Sequence, residues 1–246
     1  QKYDLALSDY SKAIDINPNF AMAYYNRGNL YFNQKKYELA LADYNKAIEL
    51  NSDYVFSAYF YRGIFYHRQQ KYDLALADLN KAIELNSNFS HFYFVRGILH
   101  ENKEKYELAL ADYSKAIELD SNYAQAYYNR GELYRLQKKY DLALSDYSKA
   151  IDINPNYADA YNNRGVVYYN LQKYDLALAD YNQAIRINPN FAEAYGNRGL
   201  LYAELKQTEK AKIDLQQAAI LFRQQNNMAT YEKVMQILQI LQQLGG

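Results

Sequence analysis

The chain repeats itself with a period of 34 residues, and that period limits its fold more than any other feature. The tyrosine that opens the phrase KYDLAL or KYELAL falls at Tyr3, Tyr37, Tyr72, Tyr106, Tyr140 and Tyr174, with Thr208 in the seventh place. An Arg-Gly pair keeps the same beat, its glycines at Gly28, Gly63, Gly97, Gly131, Gly165 and Gly199. Both series carry one 35-residue step at the same place, so a single residue is inserted between Ile48 and Gly63, near Tyr54 to Ser57. Self-similarity at this length means a stack of small supersecondary units, none able to bury a core alone.

Each period contains two helical patterns. One runs from about Phe20 to Gln34 and the other from about Tyr37 to Leu50, where Leu39, Ala40, Tyr44, Ala47 and Ile48 recur at three-and-four spacing. Short turns such as INPNF or ELNSN separate the periods; their Asn-Pro or Asn-Ser ends one helix, and the proline suits the first turn of the next. Strand alternation is absent.

A 34-residue helix-turn-helix period with Pro18, Tyr24, Gly28, Tyr31, Ala40, Tyr44 and Ala47 at fixed places resembles the tetratricopeptide repeat (TPR). The phrase KYELALADYNKAI and the tail LFRQQNNMATYEKV resemble arrays from cyanobacteria in particular. The resemblance implies an all-α fold: a right-handed superhelical solenoid of stacked antiparallel helix pairs, closed by a C-terminal capping helix. The expected divisions are a second helix of a truncated unit at 1–19, repeats at 20–53, 54–88, 89–122, 123–156, 157–190 and 191–226, and a capping helix at 227–246. Because the chain starts inside a repeat, it reads as a fragment with an uncapped first helix.

The recurrent residues divide into joints and faces. The glycine allows close approach of the paired helices. Arginine precedes it at Arg27, Arg62, Arg96, Arg130, Arg164 and Arg198, and aspartate recurs on the second helix at Asp9, Asp43, Asp78, Asp112, Asp146, Asp180 and Asp214. This pattern predicts a partly buried bidentate ion pair in each repeat, with a ligand-binding row of arginines as the alternative. Adjacent helical residues point about 100° apart, so Tyr24 and Tyr25 face different neighbours. Tyr24 and its equivalents are invariant and belong to the packed stripe, whereas Tyr25 shares a stripe with Met22, Asn26, Asn29 and Phe32.

In TPR arrays that second stripe lines a concave peptide-binding groove, which the resemblance carries over to Tyr25 and Asn26, Phe60 and Tyr61, Phe94 and Val95, Tyr128 and Asn129, Asn162 and Asn163, and Gly196 and Asn197. Asparagines 26, 129, 163 and 197 would form a ladder able to donate to and accept from an extended backbone, or are simply polar residues on an exposed helix. Aromatic and apolar residues fill the gap at Tyr61 and Val95. Related repeats that clamp acidic C-termini use lysines on this stripe; here the row is Met22, Ser57, His91, Gln125, Asp159 and Glu193, which disfavours that ligand. Asp159 and Glu193 suggest an acidic end that receives a positive ligand end, while His67, Arg68 and His91 tint the middle basic.

Residues 51–122 depart from the pattern. Serine replaces the turn proline at Ser52, Ser87 and Ser121, His100 stands for Tyr31, and Leu79 for Tyr44. These departures fit either a functional site or drift after duplication.

Other functions find little support. Basic and acidic residues number 28 each, which leaves no electrostatic footprint for nucleic acid or an anionic membrane. With no cysteine there is no disulfide, thiolate metal site or cysteine nucleophile, and no run of 18 apolar residues spans a bilayer. His91 and His100 would lie about 13 Å apart on one helix, too far to share a metal. Catalytic motifs such as GxSxG, HExxH or a P-loop are missing. The expectation is a non-enzymatic, cytoplasmic protein- or peptide-binding scaffold without cofactors. The tail stripe Tyr231, Val234, Met235, Leu238, Leu241 and Leu244, broadened by Ile237 and Ile240, caps the last repeat; it or the N-terminal helix also offers a surface for self-association.

Overall fold

In the computed structural model, residues 2–50 and 55–244 are described, and they form fourteen helices and no strand. The helices are α1 Lys2–Ile16, α2 Ala21–Asn33, α3 Tyr37–Glu49, α4 Val55–Arg68, α5 Tyr72–Leu85, α6 Ser90–Asn102, α7 Tyr106–Leu119, α8 Ala124–Leu136, α9 Tyr140–Ile153, α10 Ala158–Asn170, α11 Tyr174–Ile187, α12 Ala192–Glu204, α13 Thr208–Gln224 and α14 Met228–Leu244. They cluster into two compact units, Gln1–Ser121 and Asn122–Gly246. Nothing in the sequence period marks that division, which falls between two repeats. Within each unit, first and second helices of a repeat pack as antiparallel pairs, and first helices of neighbouring repeats touch: α2 with α4, α4 with α6, α8 with α10, α10 with α12.

The pairing rests on small residues facing large ones. On α3 the buried set is Ala40, Asp43, Tyr44 and Ala47, and its counterparts are buried on α5, α7, α9 and α11. A methyl group added at Gly28 would lie 2.9 Å from Cε1 of Tyr44, and at Gly97 2.6 Å from that of Tyr113. Glycine is therefore required by the tyrosine ring it meets, rather than by backbone freedom.

The two kinds of turn differ in chemistry. Between the helices of one repeat, the Lys36 N–H donates to the Tyr31 carbonyl at 2.8 Å and the Lys35 N–H to Phe32 at 3.0 Å, the Schellman pattern of a helix C-terminus. Its left-handed position has no glycine: Lys35, Gln70, Glu104, Lys138, Gln172 and Lys206 all hold φ between 56° and 60°. Between repeats, the Asn side chain accepts from the backbone N–H two residues on, as Asn17 does from Asn19 at 3.1 Å and Asn86 from Asn88 at 3.2 Å. Pro18, expected in the first turn of α2, instead occupies the middle of this turn, and Ser87 takes the same place because the asparagine carries the geometry. The 35-residue step adds a residue at the start of α4; the positions before Val55 lie outside the described residues.

The tail departs from the solenoid pattern. Asn226, at φ 62°, joins α13 to α14 by the tight turn that elsewhere joins first to second helix. Val234 and Leu238 bury against Leu215, Ala218, Ala219 and Phe222, with Tyr231, Ile237 and Leu241 at the margin. Met235, on the apolar stripe, is exposed, as is Ile240, one of the two residues that broaden it, and the side chain of Leu244 lies outside the described residues.

Three outcomes follow for stability. Gly97→Ala should cost about 2–3 kcal/mol by overpacking against Tyr113. Gly63→Ala should fall within about 1 kcal/mol of wild type, because its nearest neighbours, Leu79 Cγ and the Ala75 carbonyl, lie at 3.3 Å. Glu104→Gly should raise stability by about 0.5–1 kcal/mol by relieving the left-handed backbone. Denaturation midpoints in urea check all three, and a stabilised Gly97→Ala would contradict the steric account.

Candidate binding face of the first helices

Each joint is an arginine held on several sides. The Arg27 Nε and Nη2 donate to the two carboxylate oxygens of Asp43, both at 2.8 Å. The same bidentate pair joins Arg62 to Asp78, Arg96 to Asp112, Arg130 to Asp146, Arg164 to Asp180 and Arg198 to Asp214. The guanidinium also stacks between rings: Arg27 lies 5.6 Å from the Tyr24 centroid and 5.9 Å from Tyr31. Nη1 then reaches back to the preceding repeat: Arg27 to Ser11, Arg62 to Asn45, Arg96 to Asn80, Arg164 to Ser148 and Arg198 to Asn182. The ion pairs expected from the sequence are present, and these arginines are committed to packing rather than to a ligand. The reach to Ser or Asn was missed, although Ser11, Asn45, Asn80, Ser148 and Asn182 occupy one strict position of the period.

The remaining first-helix residues form two different surfaces. In the first compact unit the surface is aromatic. Tyr25 lies 5.8 Å from Tyr61, whose ring stacks on buried Tyr44 at 6.3 Å, and the Tyr44 hydroxyl donates to Asn29 at 2.8 Å. Phe94 sits 6.1 Å from His91 and 5.9 Å from Tyr113. Tyr25, Asn26, Tyr61 and Phe94 are half-buried and so retain an open edge. Phe60 does not: it is 4% exposed and packs on Phe92 at 4.7 Å, so its expected place on the binding face is corrected to the core. Val95 is buried likewise. Phe56, Phe89 and Phe92 complete this cluster, with Phe56 5.5 Å from Phe89, and tie α4 to α6 where the repeat is least regular.

Of the residues expected to tint this surface basic, Arg68 lies over the Phe32 ring at 4.7 Å. Burial, with the nearby Arg68 charge, lowers the His67 pKa, and the rings of Phe60 and Phe94 lie against His91.

In the second compact unit the surface is a polar chain. Asn197 Nδ2 donates to Asn162 Oδ1 at 2.9 Å, Asn162 Nδ2 to Asn163 Oδ1 at 2.9 Å, and Asn163 Nδ2 to the Tyr128 hydroxyl at 3.0 Å and Glu132 at 2.8 Å. Arg135 holds Glu132 with two hydrogen bonds, and the Tyr147 hydroxyl donates to the same carboxylate. The asparagines thus spend much of their hydrogen-bonding capacity on each other across α8, α10 and α12. Asn162, at 5% exposure, is a buried link rather than a surface residue. Asn129, Asn163 and Asn197 remain half-buried. Asp159 and Glu193 are exposed beside this chain. Burial, reinforced by Asp159 and Glu132, pushes the Tyr157 hydroxyl pKa up to about 12, and its ring lies 4.9 Å from Tyr128.

Joints that repeat without exception beneath helix faces that differ from repeat to repeat define an all-helical repeat scaffold. Profiles of the tetratricopeptide repeat match residues 21–54, 56–89, 158–191 and 180–213, and a TPR repeat profile matches 1–35, 102–137 and 131–172. Among solved structures, YrrB, described as a TPR protein with an unusual peptide-binding site, is 31% identical over 75% of this chain and 95% of its own, with a TM-score of 0.63. The chain belongs to the tetratricopeptide repeat family. MamA, 24% identical over 72% of this chain and 96% of its own, has a TM-score of 0.63. The C-terminal part of a TPR repeat-containing protein from Cytophaga hutchinsonii reaches 0.70 at 20% identity, over 89% of this chain and 90% of its own; both share the fold. No curated protein sequence matches. No helix among the described residues is long and apolar enough to cross a membrane.

All three histidines lie in the first compact unit. His100 replaces the second ring around Arg96; burial lowers its pKa, Arg96, Lys105 and Lys103 add to this, and Asp112 opposes it with a carboxylate oxygen 3.7 Å from Nε2. Since His67 and His100 both bind a proton more weakly folded than unfolded, the stability they permit is present above about pH 6.5 and falls as the pH drops below it. Amide exchange, corrected for intrinsic rates, should therefore show α4–α7 losing protection between about pH 7 and 5 more than α10–α13. His100→Tyr should reduce that loss, and equal losses in both regions would refute it.

Proposed function

We propose that this protein is a non-catalytic scaffold whose first-helix faces hold extended segments of partner proteins. The observation that carries this reading is the contrast between the two classes of position. Joint residues recur because each repeat needs them, whereas Tyr25, Tyr61, Phe94, Tyr128, Asn129, Asn163 and Asn197 vary in kind while keeping partial exposure. Half-exposed aromatic rings fixed by neighbours, such as Tyr61 between Tyr25 and Tyr44, offer contact area at little further entropic cost. The peptide-binding description attached to YrrB supports the same use of this surface.

The faces suit different partner chemistry. The aromatic face of the first compact unit fits apolar or proline-bearing segments. On the second, Arg135 is already paired with Glu132, which leaves exposed Asp159 and Glu193 as the charges a ligand meets. That face fits a segment bearing lysine or arginine.

Selection from a library of extended peptides tests the reading. Peptides chosen by wild type should bind about tenfold more weakly for each ring removed in Tyr25→Ala, Tyr61→Ala or Phe94→Ala. Lys- or Arg-bearing peptides should be lost on combined Asp159→Lys and Glu193→Lys substitution. Selected peptides that bind all variants equally would place the site elsewhere.

A further inference from the structure

The outer surface of α13 breaks the charge rule of the array. One position of every second helix carries a charge, at Asp15, Glu49, Glu84, Glu118, Asp152 and Arg186; in α13 it is Ile220, 51% exposed. Lys46, Lys81 and Lys115 pair with three of those carboxylates, which marks the position as a solvated one. Seven residues earlier, where the other repeats have Ser8, Ala42, Ala77, Ala111, Ser145 and Ala179, stands Ile213 at 65% exposure. The two isoleucines fall on one face of α13.

That face continues onto α14. A cleft of about 730 Å³ between the helices has Ile220, Tyr231 and Met235 among its lining residues, Met235 being 42% exposed. The polar side chains around it are glutamines, Gln216, Gln236, Gln239 and Gln242, and Arg223 is its one charged member. From Met235 to Leu244 the sequence has no charge at all.

We propose that this face is the interface of a two-fold homodimer. A two-fold axis brings a surface against itself, so a rim of carboxylates or lysines would meet its own like charges. Glutamine amides both donate and accept, so a glutamine rim is complementary to itself. The size also fits: two 17-residue helices side by side present a face roughly 25 Å long by 20 Å wide, which with side-chain relief approaches the roughly 800 Å² each partner contributes to a stable complex. This interface is independent of the peptide-binding reading.

Sedimentation of the 246-residue chain should show a dimer at about 100 μM, with Ile220→Glu and Met235→Glu each weakening association at least about tenfold while leaving the circular dichroism unchanged. Leu142→Glu, at an exposed leucine of another repeat, should leave the dimer intact. Because the chain has no cysteine, single cysteines placed at Gln216, Gln236, Gln239 and Gln242 form disulfides only between copies, and at least one should crosslink on oxidation. A monomer at that concentration, a dimer indifferent to both glutamates, or no crosslink at any of the four sites would overturn the proposal.

Discussion

The structure depends on one interaction made six times: an arginine fixed by a carboxylate and aromatic rings, which at Arg27, Arg62, Arg96, Arg164 and Arg198 also reaches a polar side chain on the preceding repeat. Each part limits the others. The bidentate carboxylate sets the plane of the guanidinium, and the rings shield it from water on its faces. Desolvation offsets much of the attraction, so the contribution is better understood as fixing geometry than as adding stability. With the arginine fixed, the adjacent glycine lies against a large second-helix side chain, a tyrosine in four repeats and Leu79 or Leu215 in the others, and the repeat has a defined crossing.

This arrangement separates packing from recognition along a single helix turn. Tyr24, Arg27 and Gly28 look toward the joint, while Tyr25 and Asn26 look away from it. The second group is free to diverge, and it has diverged toward rings in one compact unit and toward amides and carboxylates in the other. In both cases the exposed residues are supported by a layer beneath them. Phe60 and Phe92 support the aromatic face, and Asn162 links Asn197 to Asn163.

Most of the architecture was legible because the period writes the same constraints many times over, and chance does not align glycine, arginine and aspartate in every copy. The residues misplaced from sequence are those whose surroundings change between copies. Phe60 and Asn162 share a position with half-exposed Tyr25 and Tyr128; their neighbours on the next first helix differ, Phe92 against Phe60 and Asn197 bonded to Asn162. The left-handed turn at Lys35 was invisible for a different reason, since lysine and glutamine carry no local signal for positive φ. The exposure of Met235 followed from the turn at Asn226, which sets α14 against α13 in a way the apolar spacing alone did not specify.

The third contact of the arginine has an evolutionary corollary. Its Nη1 donates to either a serine or an asparagine of the repeat before it. As far as this contact goes, one copy can follow another without a matched partner change, whereas the copy-specific contacts, such as Phe60 with Phe92 or Asn162 with Asn197, tie particular neighbours together. Recombination that adds or deletes whole copies therefore keeps the arginine joint and remakes only those copy-specific contacts.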